Sequence, residues 1–164
     1  MLVVQHIAPG FLGGLASWLA QSSRLPVHIA TDGEYLLPGH VYLAPDGFHM
    51  RVVRGLRVAL SNEAPRDGLR PSVAHLFGSV TAVLGRAVVG VLLTGMGKDG
   101  AAELKLMRDG GATTIAQDRD SSIVHGMPGE AIKLDAASYI LPLGEIAAAL
   151  IALAGRNGKE GERP

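Results

Sequence analysis

At 164 residues the chain is long enough to bury a core of its own, and 48% hydrophobic against 18% charged residues fits a globular α/β domain and excludes disorder. A formal charge of zero with 4% aromatics supplies neither the basic face nor the stacking platform of a nucleic-acid binder, and the lack of cysteine removes disulfides, zinc thiolates and a thiol nucleophile. No apolar run reaches the length of a membrane span and no basic leader precedes an apolar stretch, so the expected compartment is the cytoplasm, without membrane insertion.

In chain order, "MLVVQ" reads as a strand already under way, and "FLGGLASWLAQSS" beyond Pro9-Gly10 reads as an amphipathic helix. "VHIA" is a short strand. From Gly33 to Leu60 the chain turns repeatedly, and "PGHVYLAP", "FHMRVV" and "LRVAL" read as short antiparallel strands. "PSVAHLFGSVTAVLG" is a helix with Ser72 as N-cap. The continuous apolar run "AVVGVLLTG" has the pattern of a buried parallel strand. A helix from about Asp99, the strand "TTIAQ", a helix near "PGEAIKL", the strand "SYILP" and the helix "GEIAAALIALA" follow. Alternating strands and helices predict a doubly wound, mostly parallel sheet with an antiparallel hairpin insertion. The domain is expected over 1–154, with 155–164 as a flexible polar tail.

The run "GVLLTGMGKDGAAELKLMRDGGATTIAQD" poses the functional question. Gly95, Gly97 and Gly100 spell G-x-G-x-x-G, and Asp118 falls where a ribose-binding acid would stand. Against a dinucleotide site, Asp99 sets a carboxylate near the phosphate positions, and Lys98 offsets it only if it turns inward. The motif also comes late, leaving too little chain for a full dinucleotide fold. The other chemistry such a turn serves is acyl transfer, with backbone N–H groups facing an oxyanion and a carboxylate orienting a histidine. His6 ends the first strand at the carboxyl edge where open α/β sheets place their sites. His6 and Asp99 then read either as a general base with its orienting acid, or as a strand-end residue and a helix cap. The other histidines, His28, His40, His49, His75 and His125, form no compact ligand spacing, so neither a metal nor a cofactor is expected.

Taken together, "VVQHIAPGF", "DGEYLLPGHVYLAPDGFHM", "RPSVAHLF", the glycine-turn run and "SSIVHGMPGEAI" resemble the catalytic domain of the chemotaxis protein-glutamate methylesterases of the CheB type, from Leu2 to about Leu143. The resemblance implies a serine hydrolase that releases methanol from methylated glutamates on chemoreceptor helices and deamidates certain receptor glutamines. It implies His6 and Asp99 as the histidine and aspartate of a Ser-His-Asp triad, and Met96 as an oxyanion-hole residue through its backbone N–H. The family's G-x-S-T-G-G turn, which carries the serine upstream of the histidine strand, does not occur in this sequence, nor does the receiver domain. Ser17, Ser22, Ser23, Ser61, Ser72, Ser79, Ser121 and Ser122 read as caps or surface residues. The expectation is therefore a domain truncated at its N-terminus and inactive or nearly so. Two alternatives stand beside it: a non-catalytic receptor-binding homologue, and a dinucleotide-binding module.

Overall fold

The computed structural model describes residues 1–160. They fall into two compact units, residues 1–83 and residues 84–160.

In the first unit, β1 (Leu2–Val3), β2 (Val27–Ile29) and β3 (Val41–Leu43) form a sheet in the order β1-β3-β2, every pair parallel. The placement of β3 corrects the antiparallel reading of "PGHVYLAP". Its three residues are all buried, and the Tyr42 and Ala44 amides donate to Met1 and Val3 carbonyls while Leu43 O accepts from Ala30. A strand buried on both faces and bonded on both edges is the middle of a parallel sheet, and a run of three is too short to show that in the sequence. Helix α1 (Leu12–Ser23) packs on β2. The expected hairpin is present: β4 (His49–Val53) and β5 (Arg57–Ser61) pair antiparallel from His49↔Ser61 to Val53↔Arg57, around a turn in which Gly55 and Leu56 both have positive φ. Helix α2 (Val73–Leu84) begins as read, with the Ser72 hydroxyl oxygen accepting the Ala74 amide N–H at 3.2 Å. It buries Val73, Ala74, Leu76 and Val80, and its Ser79 hydroxyl accepts the Val52 N–H of the hairpin at 2.9 Å.

In the second unit, β6 (Val89–Leu92), β7 (Thr113–Gln117) and β8 (Tyr139–Leu141) form a parallel sheet in that order. Helices α3 (Ala101–Asp109) and α4 (Met127–Lys133) pack on β6 and β7 and on each other, and α5 (Leu143–Glu160) rests on β7. Leu104, Met107, Ile115, Ala116 and Ala131 make the core, each at most 1% exposed. Gly90 of β6 is a packing glycine: a Cβ there would meet Leu104 Cδ1 at 2.6 Å and the Met107 sulfur at 2.9 Å. Helix α5 continues through residue 160 and so takes in the first part of the stretch read as a tail, whereas residues 161–164 lie outside the described ones. No described helix is long and apolar enough to cross a membrane.

Candidate active site

In the first unit, parallel pairing brings the carboxyl ends of β1 and β3 to the same edge. The chain leaves β1 through Val4 and Gln5 to His6, which is half-buried, and leaves β3 through Ala44 and Pro45 to Asp46 and Gly47. The Asp46 carboxylate accepts the Gly10 N–H at 3.1 Å, tying the loop after His6 to the loop after β3. Between them lies a pocket of about 210 Å³ lined by His6, Pro9, Asp46, Gly68 and Arg70. Arg70 Nη1 donates to the carbonyls of Asn62 and Glu63, at 3.0 Å each, while its buried Nε has no hydrogen-bond partner among the described residues. A larger cavity of about 570 Å³, lined by Arg51, Arg54, Leu60, Ser79 and Val83, holds none of the expected site residues. A half-buried imidazole outweighs volume as a marker of chemistry, so the pocket beside His6 is the candidate site of this unit.

In the second unit the carboxyl end of β6 runs into the glycine turn. Two loops are laced together there, the turn from Leu93 to Gly100 and the loop from Asp118 to Gly126 that follows β7. The Thr94 hydroxyl donates to Val124 O at 3.1 Å and accepts from Val124 N at 2.9 Å, and Gly95 N donates to Val124 O at 3.0 Å. In return the Gly126 and Met127 N–H groups both donate to Gly95 O, at 3.1 and 2.9 Å. Gly95 and His125 thus form a parallel bridge, and Met96 follows directly, its side chain 85% exposed. Among the described residues the Met96 N–H has no hydrogen-bond partner. Gly97 supplies the left-handed backbone, φ +87°, that turns the chain back toward α3.

Asp99 stands in this same turn. The N-cap of α3 is Gly100, so Asp99 precedes the cap instead of filling it, which weakens the reading of Asp99 as a helix cap. His6 belongs to the first unit, and Met96 and Asp99 to the second.

Gln117, which the sequence reading passed over, holds the two loops together. It is fully buried at the end of β7, where its Oε1 accepts the Thr94 N–H at 2.7 Å and its Nε2 donates to Ser121 O at 2.8 Å. A polar residue closing the apolar strand "TTIAQ" was the one signal available. Ser121 is a second junction, donating to Asp118 Oδ1 at 2.6 Å and accepting the Leu143 N–H at 3.0 Å. This hydroxyl, followed by the Ser121 N–H, holds the Asp118 carboxyl below the usual carboxylate range.

The serines are engaged as capping and bracing groups. Ser17, Ser22 and Ser23 donate to helix carbonyls a turn earlier, and Ser79 donates to Leu76 O. The Ser122 hydroxyl lies 3.4 Å from His125 Nδ1 but donates to Asp118 O at 2.5 Å, so its proton is committed to a carbonyl and not to the imidazole. The other histidines pair in space. His28 Nε2 and His40 Nδ1 are 2.8 Å apart, within hydrogen-bond distance, with ring planes 6° from parallel and centroids 4.9 Å apart. His49, fully buried, stacks on His75 at 3.7 Å and points Nε2 at Ala64 O, 3.3 Å away. Burial, then the neighbouring His49, pushes the His75 pKa below the ordinary histidine value. Among the described residues no cluster of three or more histidines and acids is placed to hold a metal.

The family model of the CheB methylesterases matches residues 1–150. A protein-glutamate methylesterase/protein-glutamine glutaminase of Geobacter metallireducens is 57% identical over 155 residues, which are 94% of this chain and 45% of that protein. A protein of the same description from Nitrosospira multiformis is 52% identical over 159 residues, 97% of this chain and 45% of its own length. The chain therefore spans a little under half the length of these curated relatives. Among solved structures, the crystal structure of the Thermotoga maritima CheB methylesterase catalytic domain superposes with a TM-score of 0.88 at 37% identity, covering 93% of this chain and 82% of that one.

Proposed function

The chain belongs to the CheB methylesterase family, and from that premise we propose that residues 1–154 are its methylesterase-like catalytic domain, carrying the acid–base and oxyanion parts of the centre. His6 is the general base and later the acid, Asp99 its orienting carboxylate, and the Met96 N–H a donor to the developing oxyanion. The substrate is the methyl-esterified glutamate of a chemoreceptor cytoplasmic helix, with deamidation of receptor glutamines as the related reaction, and the compartment is the cytoplasm. One observation carries the reading: the exposed turn after β6 offers an uncommitted Met96 N–H on a rigidly laced support, with Asp99 a short step along the same turn.

In a complete triad the serine oxygen bonds to the ester carbonyl carbon as its proton passes to the histidine. That proton then leaves with methanol, and water releases the glutamate. The histidine and aspartate are supported here by residue type and place in the motifs; the family's serine turn does not occur among these 164 residues. By themselves they are proposed to bind methylated receptor helices and to hydrolyse the ester slowly, with His6 activating water. The Asp99 carboxylate and the late place of the motif count against a dinucleotide, and family membership takes the place of that reading.

Methanol release from a methyl-esterified receptor cytoplasmic fragment, followed beside fragment binding, tests this. The expected result is binding with slow release that His6→Gln and Asp99→Asn reduce further. Release that neither variant changes would overturn the residue assignment, and turnover as fast as that of the Geobacter metallireducens relative would overturn the slow-hydrolysis reading. Binding with no release at all would favour the receptor-binding homologue.

A further inference from the structure

The two laced loops of the second unit leave an apolar ridge in solvent. Ile123 is 93% exposed and Met96 85%, and Val124 and Leu93 are 44% and 43% exposed. Single exposed hydrophobics are ordinary, but this group has a common origin. Leu93 and Met96 come from the turn after β6, and Ile123 and Val124 come from the loop after β7. The Gly95–His125 bridge and the Thr94–Val124 hydrogen bonds fix one loop to the other. The ridge therefore projects from a support that is already ordered, so that covering it costs little backbone entropy. Neither Leu93–Lys98 nor Ser121–Gly126 contains a carboxylate, and their ionisable residues are Lys98 and His125.

We infer that the Met96 and Ile123 side chains form an apolar seat that reads the esterified state of the substrate glutamate. The inference rests on the function proposed above, for the ridge begins at the residue whose N–H faces the oxyanion. A methyl-esterified glutamate is neutral and ends in a methyl group, so it covers apolar surface without stripping water from a charge. A free glutamate on the same ridge leaves its carboxylate partly desolvated against the two apolar side chains, while Lys98, two residues beyond Met96, is exposed to water that screens its charge. Substrate and product thus differ in affinity at the place where one becomes the other, and the seat favours departure of the product.

The experiment is a binding titration of this protein with a receptor cytoplasmic fragment in two forms, one with glutamates methyl-esterified and one with them free. Wild type is expected to bind the esterified form at least about tenfold more tightly, a difference of about 1.4 kcal/mol. Ile123→Asp is expected to remove most of that preference, and Ile123→Val to keep it. Met96→Gln, which retains the backbone N–H, is the second test of the seat and is expected to narrow the preference. Ile151→Asp, at a 75% exposed position on α5, is the control for general loss of hydrophobicity and is expected to keep the preference. An Ile123→Asp protein with undiminished discrimination, or an Ile151→Asp protein that loses it equally, overturns the inference and leaves the function standing. A wild type that binds neither form overturns both.

Discussion

Gly126 and Gly95 are in contact through backbone alone. The Gly126 N–H donates to Gly95 O at 3.1 Å, and a Cβ added to Gly126 would stand 2.5 Å from that same oxygen and 2.8 Å from Gly97 N. Gly126 has φ −86°, so its backbone is one that any residue adopts, and the demand for glycine is purely steric. Gly126→Ala is expected to destabilise by about 1–3 kcal/mol, the usual cost of forcing atoms into a packed site. Gly13 and Gly14, inside α1 with nothing within 4 Å of a Cβ, provide the contrast. Alanine at either is expected to stabilise by up to about 1 kcal/mol. Urea unfolding of the three variants checks both signs.

Gln117 is the second target. Gln117→Ala leaves the Thr94 N–H and Ser121 O without their side-chain partner and is expected to cost about 2–3 kcal/mol. Gln117→Glu separates the two halves of that role. Its carboxylate can still accept from Thr94 but, when ionised, cannot donate to Ser121 O. Glutamate should therefore approach the alanine cost at neutral pH and recover part of it in acid, as measured by denaturation at pH 7 and pH 4.5.

His75 contributes an acid dependence to the stability of the first unit. Because its folded-state pKa lies below the ordinary value, the fold favours the neutral ring. That contribution is complete above the unfolded-state pKa of about 6.5 and is lost as pH falls from there toward the depressed folded value. Its surroundings in the hairpin and beyond are His49, Glu63, Arg51 and Arg66, of which only Glu63 favours the charged form. Thermal melts between pH 7.5 and 5 should show wild type losing stability, with a shallower loss in His75→Phe.

Asp118 behaves in the opposite sense to a histidine gaining a charge partner. Hydrogen bonds from Ser121 lower its folded-state pKa, so its contribution is present above the unfolded value of about 3.9 and lost as pH falls through the folded one. Ser121→Ala removes the side-chain bond to Asp118 and the acceptor for Leu143 N–H together. The expected outcome is a loss of stability at pH 7 and a smaller difference from wild type below pH 3, read from parallel denaturant titrations.

How far the sequence could be read follows from how local each signal is. "TTIAQ" coincides with β7, and Ser72 caps α2, because strand periodicity and helix capping are properties of a few neighbouring residues. β3 was misassigned because its direction is decided by β1 and β2, which flank it in the sheet although both precede it in the chain. Helix α5 runs past its alanine-rich stretch because extending a nucleated helix costs little, even through "GRNGKE". The glycine turn was legible as a turn between a buried strand and a helix, with Met96 and Asp99 in it. The support beneath it was not, because the pairing of Gln117 with Thr94 and of Gly126 with Gly95 needs two distant segments to be seen together.

The lacing of the Gly95 turn to the Gly126 loop also bears on time. With a buried amide, a threonine hydroxyl and three backbone bonds spanning the same two loops, neither can fray alone, since each bond broken in one leaves an orphan in the other. They should open as one body, so the backbone amides of Gly95, Val124, Gly126 and Met127 should exchange with solvent deuterium at closely similar rates. Under the function proposed above, whatever slows or hastens that shared opening would set the waiting time between one productive alignment of the Met96 N–H and the next.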